Sequence, residues 1–320
     1  MAVKTGVANL TEKLDALRHG GKRALSRALT RLETEEGSQE LAALLDHAAA
    51  QPGGHVLGLT GPPGVGKSSL TDCLIRHYRA LGERVCVLAI DPSSRFTGGA
   101  LLGDRTRLST DPEDQNIFVR SMAARDRLGG LSDHAIAAIA LMRAVCDRVI
   151  VESVGIGQSE SDLVQASDTV VLCIQPGSGD SLQFMKAGIM ELPDVIVITK
   201  ADMGALARRA ASDVTGALSL TRSRSSDWTA PVCEVSSRDN TGIETLSEAI
   251  ASHQDYLAGA GRGQTKRAAQ HTHWVEDMIR TRFGGAGLAV AGRSGADWRL
   301  QPFTAFHDIS ADLQRRLNGQ

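Results

Sequence analysis

The chain has 320 residues, of which 35 are Lys or Arg and 37 are Asp or Glu, so its formal net charge is −2. This balance argues against a general nucleic-acid-binding surface and against an acidic tail. Aromatic residues make up only 3% of the sequence, so the core must rest on Val, Ile, Leu and Ala, as in parallel α/β sheets.

No apolar run is long enough to cross a membrane, and the N-terminus lacks the apolar centre of a secretory signal. The five cysteines are scattered without a C-x-x-C pair, and Cys86, Cys173 and Cys233 lie in apolar runs where free cysteine acts as a small hydrophobe. We therefore expect a cytoplasmic protein with neither a disulfide framework nor a structural zinc site, and with no membrane or nucleic-acid partner.

Residues 1–50 predict a helical extension. Helical periodicity runs from Leu10 to Leu17, from Arg23 to Glu33 and from Ser38 to Ala50, with Ser38 as the N-cap of the third helix. The Pro-Gly-Gly sequence at 52–54 then breaks the pattern, which indicates a domain boundary near residue 51.

Between residues 51 and 253, short β-rich runs alternate with helical segments. The runs are continuously apolar, which indicates strands buried on both faces of a parallel sheet. This order predicts a doubly wound α/β domain whose ligand binds beyond the carboxyl ends of the strands. The predicted strands are Val56–Thr60, Val85–Asp91, Arg148–Glu152, Thr169–Ile174, Val195–Thr199 and Val232–Ser236.

The alternating pattern stops near His253, and residues 254–320 predict a C-terminal helical arm. A Gly-rich basic spacer from Gly259 to Arg267 precedes a predicted helix from Ala268 to Phe283. A Gly-rich turn from Gly284 to Gly287 follows, and the remaining residues have weak helical periodicity.

The first predicted strand leads into a phosphate-binding loop. Residues 61–68 read G-x-x-x-x-G-K-S, and a helical pattern begins directly after them, as in P-loop NTPases. Backbone N–H groups and the helix dipole favour phosphate there, while Lys67 can reach the β- and γ-phosphates and the Ser68 hydroxyl can bind Mg²⁺. The residues predicted to bind a nucleoside triphosphate here are Gly61, Pro62, Pro63, Gly64, Val65, Gly66, Lys67, Ser68 and Ser69, with Lys67 also assigned to catalysis.

Carboxylates follow two more of the predicted strands. Asp91 ends the second strand and precedes a long Gly-rich segment that contains Asp104, while Glu152 ends the third strand, as in a Walker B sequence. Beside a P-loop, such side chains can hold Mg²⁺ directly or through water, because Mg²⁺ prefers hard oxygen ligands. We predict all three as Mg²⁺ ligands, and Asp104 and Glu152 also as catalytic residues. A turn with an N-cap aspartate is the alternative for Asp91.

Two loops carry further candidates. Gly155 can donate its backbone N–H to the γ-phosphate, and Gln158 can orient the attacking water as a catalytic residue, although an exposed polar loop explains Gln158 about as well. The Gly-rich segment from Gln175 to Ile189 suits a mobile loop with Lys186 as a catalytic candidate. An ordinary strand-to-helix connection is the alternative for that segment.

The fifth predicted strand leads into Thr199-Lys200-Ala201-Asp202, which is similar to the base-recognition motif N/T-K-x-D. An aspartate here accepts hydrogen bonds from the guanine N1–H and N2 amine, and the lysine stem packs over the base. Backbone N–H groups after the next strand can meet the guanine O6. The residues predicted to bind the base are Thr199, Lys200, Asp202, Ser236, Ser237 and Arg238.

Taken together, these motifs resemble those of the MeaB/ArgK-type GTPases, the G-protein chaperones of adenosylcobalamin-dependent acyl-CoA mutases. The matching stretches are 61–69, 91–94, 97–99, 103–106, 152–160 and 176–180. The resemblance runs from about Arg23 to about Phe283. Three features depart from it: Thr199 stands where Asn is usual, Ser237-Arg238 replaces an Ala-containing loop, and the tail after Gly284 matches poorly.

The resemblance implies an α/β P-loop NTPase with a doubly wound, mostly parallel sheet, an N-terminal helical extension and a C-terminal helical dimerisation arm. It implies Mg²⁺-dependent hydrolysis of GTP to GDP, slow alone and stimulated by a partner mutase whose cofactor loading and protection the GTPase gates. It also implies a homodimer, with no cobalamin bound by the chain itself. A cobalamin adenosyltransferase is a further candidate partner.

Two other functions stay open. A nickel metallochaperone GTPase would need closely spaced Cys and His ligands, and the near pair His271 and His273 lies on a predicted helix at a spacing that does not share a face. A kinase of a transport protein would need an acceptor site and a catalytic base, and the sequence identifies neither.

Overall fold

The computed structural model describes residues 2–35, 37–51, 53–91, 108, 110–123, 133–152, 159–177, 192–220 and 227–319. The chain divides into two compact units. The helical unit combines Met1–Gly54, Asp133–Cys146 and Gly261–Gln320, and the sheet unit consists of His55–Ser132 and Asp147–Ala260.

Seven strands are described in the sheet unit, and each pairs in parallel with its neighbours. They are β1 (His55–Thr60), β2 (Val85–Asp91), β3 (Ile117–Ala123), β4 (Arg148–Glu152), β5 (Thr169–Ile174), β6 (Val195–Ile198) and β7 (Val232–Glu234). Their order across the sheet is β3-β2-β4-β1-β5-β6-β7, which puts β1 between β4 and β5. Every residue of β1, β5 and β6 is buried, which explains why the runs between the polar ends of β1 and β5, and all of β6, carry no polar side chain.

The described helices, in chain order, are α1 (Ala2–His19), α2 (Gly21–Thr34), α3 (Gln39–Ala50), α4 (Lys67–Ala80), α5 (Asp133–Val145), α6 (Ser159–Val164), α7 (Ala205–Leu220), α8 (Ile243–Ala258), α9 (Arg262–Ala291) and α10 (Pro302–Leu317). Helices α4 and α8 bury apolar side chains against one face of the sheet, and α7 packs against the other face. The predicted doubly wound α/β fold is therefore confirmed.

Strand β3 is the one described strand that the sequence analysis missed. It pairs with β2 at the edge of the sheet, and its burial is only partial. Arg120 and Ser121 interrupt its apolar pattern, so it lacks the continuous run by which the central strands were found.

The C-terminal residues differ in detail from the prediction. Helix α9 runs through the predicted Gly-rich turn, and only Gly284, at φ 69° and ψ −172°, leaves the helical conformation within it. The final segment forms the regular helix α10, whose first turn is capped from α3. There the Asp46 carboxylate accepts hydrogen bonds from the backbone N–H groups of Phe303 and Thr304, both at 2.9 Å.

A buried chain of hydrogen bonds joins three elements of the sheet unit. The Thr169 hydroxyl lies 2.7 Å from His55 Nε2 and 2.7 Å from His253 Nδ1, and His253 Nε2 lies 3.2 Å from Asp194 Oδ1. Since the carboxylate only accepts, a neutral His253 carries its proton on Nε2 and accepts from Thr169, which in turn accepts from His55. This network ties the starts of β1 and β5 to α8.

In the described part of the chain, no helix is both long and apolar enough to cross a membrane. Cys73, Cys173 and Cys233 are buried free thiols, which confirms the expectation for Cys173 and Cys233. Cys86 is disulfide-bonded, so the expectation of a free thiol at this position was wrong.

Candidate nucleotide-binding site

The glycines of the P-loop give it the shape that the motif predicts. Gly61, Gly64 and Gly66 have φ values of 140°, 75° and 101°, which side-chain-bearing residues rarely adopt. A Cβ atom at Gly61 would also collide with the carbonyl oxygen of Cys173 in β5. These turns bring the chain from the end of β1 to the first residue of α4, Lys67.

The Lys67 side chain is held inside the P-loop. Its side chain is only 7% exposed, and its ammonium group donates to the carbonyl oxygens of Gly61 at 2.8 Å and Pro62 at 3.3 Å. Both bonds join the charge to oxygen acceptors of its own loop. Phosphate oxygens are stronger acceptors for an ammonium group, so the lysine can exchange these bonds for nucleotide contacts.

Ser68 and Glu152 meet where the P-loop faces the end of β4. The Ser68 hydroxyl donates to Glu152 Oε1 at 2.8 Å, and the Thr71 hydroxyl donates to Oε2 at 3.1 Å. The carboxylate is 6% exposed, so both of its oxygens are fixed in position by α4. Sequence analysis found Ser68 and Glu152 but missed Thr71, whose place one helical turn after Ser68 is the signal that could have found it.

These oxygen atoms fit a Mg²⁺ site. The ion is usually held by one or two protein oxygens, the nucleotide phosphates and water, and the Ser68 hydroxyl and the Glu152 carboxylate supply hard donors beside the phosphate loop. Asp91 ends β2, next to β4 in the sheet, but its side chain lies outside the described residues. The other candidates that lie outside the described residues are Asp104, Gly155, Gln158 and Lys186.

Thr199 and Lys200 contact the P-loop rather than standing apart from it. The Thr199 hydroxyl donates to the carbonyl oxygens of Val65 at 2.8 Å and Ile174 at 3.2 Å. The Lys200 ammonium group donates to the carbonyl oxygen of Gly64 at 3.1 Å and to Gln175 Oε1 at 2.6 Å. These contacts bring the predicted base-recognition motif against the phosphate loop and assign the Thr199 side chain to the support of that loop.

Asp202 is oriented by Ser236. The Ser236 hydroxyl donates to Asp202 Oδ1 at 3.0 Å and accepts from the backbone N–H of Asp239 at 3.1 Å. Arg238 Nη1 lies 3.9 Å from Asp202 Oδ2, but its side chain is 82% exposed, so this ion pair contributes little. The sequence analysis assigned Ser236 a backbone role and did not foresee its side chain as the group that positions Asp202.

Two buried cysteines, Cys73 and Cys173, lie near the predicted nucleotide-binding loops. The Cys73 thiol lies 3.7 Å from the carbonyl oxygen of Ser237, which links α4 to the loop predicted to meet the guanine O6. Burial raises the pKa of the fully buried Cys173 to about 12. Cys173 is therefore a neutral thiol that packs against the P-loop and not a nucleophile.

A parallel sheet with a P-loop after its central strand, a buried lysine and a carboxylate at the end of the neighbouring strand defines the class of P-loop NTPases. The model of the family described as "Methylmalonyl Co-A mutase-associated GTPase MeaB" matches residues 25–286. The chain belongs to this family of GTPases, as the motifs predicted.

Known relatives agree with this assignment. The chain is 40% identical over 297 residues to a protein of Pyrococcus abyssi named as a GTPase, covering 92% of this chain and 89% of that one. It is 37% identical over 227 residues to the mouse protein "Methylmalonic aciduria type A homolog, mitochondrial", covering 70% and 55%. A crystal structure described as an LAO/AO transport system kinase matches with a TM-score of 0.67 and 26% identity, over 96% of this chain and 98% of that one.

Proposed function

We propose that this chain is a Mg²⁺-dependent GTPase that acts as a chaperone of an adenosylcobalamin-dependent acyl-CoA mutase, gating its cofactor loading and protecting or reactivating it. The observation that carries the proposal is the assembly of Lys67, Ser68–Glu152 and Ser236–Asp202 around one P-loop in a chain of the mutase-associated family. GTP and GDP are the proposed nucleotides, and the chain itself is proposed to bind no cobalamin.

In this proposal, different residues contact the phosphates and the guanine base. Lys67 would exchange its bonds to Gly61 and Pro62 for bonds to the β- and γ-phosphates. Ser68 and Glu152 would hold Mg²⁺, which when bound neutralises charge on the β- and γ-phosphates. Asp202, held by Ser236, would accept hydrogen bonds from the guanine N1–H and N2 amine, which adenine cannot offer in that arrangement.

The proposal of a mutase partner rests on the description of the family and on the name of a relative, and not on contacts in the structure. The matching family is described as mutase-associated, and the mouse relative is named for methylmalonic aciduria. We propose that hydrolysis is slow for the chain alone and faster with the partner mutase, in a homodimer built through the C-terminal helices. A cobalamin adenosyltransferase is a further proposed partner.

A kinase of a transport protein is the second candidate, because a solved structure similar over nearly the whole chain is described as a transport system kinase. The two candidates differ in where the γ-phosphate goes. A GTPase transfers it to water and releases inorganic phosphate, whereas a kinase leaves it on the acceptor protein. Incubation with GTP labelled in the γ-phosphate separates them, since a labelled protein would favour the kinase.

Binding to purified mutases tests the proposed partner directly. Wild-type chain would be immobilised with GDP or with a non-hydrolysable GTP analogue, and each candidate acyl-CoA mutase passed over it. We expect one mutase to bind with an affinity that depends on the nucleotide, and the dependence to vanish in Lys67→Ala. Failure of every mutase to bind in any nucleotide state, with GTP binding intact, would refute the chaperone role and leave the GTPase standing.

A further inference from the structure

Thr71 lies one helical turn after Ser68 in α4, and its side chain is fully buried. Helical hydroxyls elsewhere in the chain, such as those of Thr30 and Thr272, donate to the carbonyl oxygen four residues earlier, at 3.0 Å. The Thr71 hydroxyl instead donates its one proton to a side chain of the sheet, Glu152 Oε2, at 3.1 Å. This choice of acceptor ties Thr71 to the carboxylate at the end of β4 and not to its own helix.

The Glu152 carboxylate is held on both of its oxygens by α4. Ser68 donates to Oε1 at 2.8 Å, so the two hydroxyls supply one donor to each oxygen. A single donor would leave the carboxylate free to turn about that one bond, whereas donors on both oxygens fix its plane. Each donor also offsets part of the cost of burying a charged group, since Glu152 is buried between β2 and β1.

The two hydroxyls differ in what they can do for a metal ion. Ser68 gives its proton to Glu152 and keeps lone pairs for Mg²⁺, which prefers hard oxygen ligands. Thr71 is closed to solvent, so it can act on a bound ion only through the carboxylate. Since each carboxylate oxygen has two lone-pair sites, Glu152 can accept from both hydroxyls and still contact Mg²⁺ or a water bound to it.

We propose that Thr71 is a positioning residue of the Mg²⁺ site. Its hydroxyl holds Glu152 in the orientation in which the carboxylate and the Ser68 hydroxyl face the ion together. The inference rests on the proposed GTPase function and adds to it a residue that sets the affinity for Mg²⁺. Loss of the hydroxyl therefore weakens Mg²⁺ binding, while nucleotide binding without Mg²⁺, which depends on the P-loop and Lys67, stays the same.

Binding of a fluorescent, non-hydrolysable GTP analogue to the full chain tests this role, first in EDTA and then over a Mg²⁺ titration. Thr71→Val removes the hydroxyl and keeps the shape of the side chain, and Thr71→Ser restores the hydroxyl. Thr60→Val is the matched control. Thr60 is buried at the end of β1, next to the P-loop, and its hydroxyl has no hydrogen-bond partner among the described residues.

We expect Thr71→Val to need about tenfold more Mg²⁺ for half of the metal's effect on binding, because a hydrogen bond to a charged group is lost. Wild type, Thr71→Ser and Thr60→Val should agree with one another, and all four proteins should bind the analogue equally in EDTA. In a Glu152→Ala background, Thr71→Val should have no further effect on the Mg²⁺ requirement, since no carboxylate remains to be positioned.

An unchanged Mg²⁺ requirement in Thr71→Val would overturn the positioning role and leave the proposed GTPase intact. Weaker binding of the analogue in EDTA, or an equal effect of Thr71→Val in the Glu152→Ala background, would show that Thr71 only supports the loop and would also overturn it. If Thr71→Val does not fold, Thr71→Ala removes the same hydroxyl and carries the same expectations. Wild-type binding that ignores Mg²⁺ would instead refute the Mg²⁺ site of the proposed function, and this inference with it.

Discussion

Lys67 is the residue on which we propose that phosphate binding depends. Its ammonium group is buried and already turned toward the loop carbonyls, so replacing it with Ala removes the one cation that the described P-loop offers to phosphate. We expect Lys67→Ala to weaken GTP binding about 100-fold in a fluorescent-nucleotide titration. Lys13→Ala, in the helical unit, is the control, and unchanged affinity in Lys67→Ala would refute the P-loop assignment.

Asp202 is the residue on which we propose that the choice of base depends. Its carboxylate can accept two guanine hydrogen bonds, whereas an amide there offers one acceptor and one donor, which suits xanthine better. We expect Asp202→Asn to shift the GTP-to-XTP preference by about 100-fold in competition binding. Asp239→Asn, an exposed carboxylate of the neighbouring loop, should leave the preference unchanged. An Asp202→Asn protein that still rejects XTP would rule out the base-reading role.

Cys173 gives a pH-dependent test of the packing beneath the P-loop. With its pKa raised to about 12 by burial, only about one thiol in 10⁴ is ionised near pH 8, so alkylation by iodoacetamide should require unfolding. Because the pKa is higher in the folded state, the stability that this thiol contributes is complete below about pH 9 and falls as the pH rises toward 12. Peptide mapping in native buffer and in urea measures the labelling, and rapid labelling of Cys173 in the native protein would contradict this packing.

At the level of elements, the buried side chains of Thr169 in β5 and Thr60 in β1 allow a controlled comparison between neighbouring strands. Thr169 bridges His55 and His253, whereas the buried Thr60 hydroxyl has no hydrogen-bond partner among the described residues. We expect Thr169→Val to lower the free energy of unfolding by about 3 kcal/mol, since two buried ring nitrogens lose their partner, and Thr60→Val to change it by less than about 0.5 kcal/mol. Urea denaturation measures both, and equal effects would show that the network adds no stability.

The elements that could be predicted from sequence are those with one dominant signal. β1, β5 and β6 are continuous apolar runs because both of their faces are buried, and the P-loop has fixed glycine positions. β3 was not predicted from the sequence because an edge strand need not be apolar throughout. The sequence analysis predicted only weak helical periodicity where α10 forms, although Phe303, Ile309 and Leu313 bury one face of this helix. Its first turn is capped by Asp46, which lies more than 250 residues earlier in the chain.

At the level of the whole molecule, the motif residues of the candidate site could be proposed from sequence, and the side chains that hold them in position could not. Lys67, Ser68, Glu152 and Asp202 stand at motif positions, and a motif records the chemistry that the nucleotide requires. Thr71 and Ser236 act through other side chains, at distances that only the folded chain brings about. The sequence also did not indicate that the chain divides into these two units, because α5 lies in the middle of the sequence but clusters with the terminal helices.

The measurement that tests the central claim most directly is the steady-state rate of GTP hydrolysis, alone and with each candidate cobalamin-dependent mutase, with ATP as the control nucleotide. The account predicts a slow rate for the chain alone, a clear stimulation by one mutase, and a preference for GTP over ATP in both conditions. A rate that no mutase changes, or equal use of ATP, would contradict it.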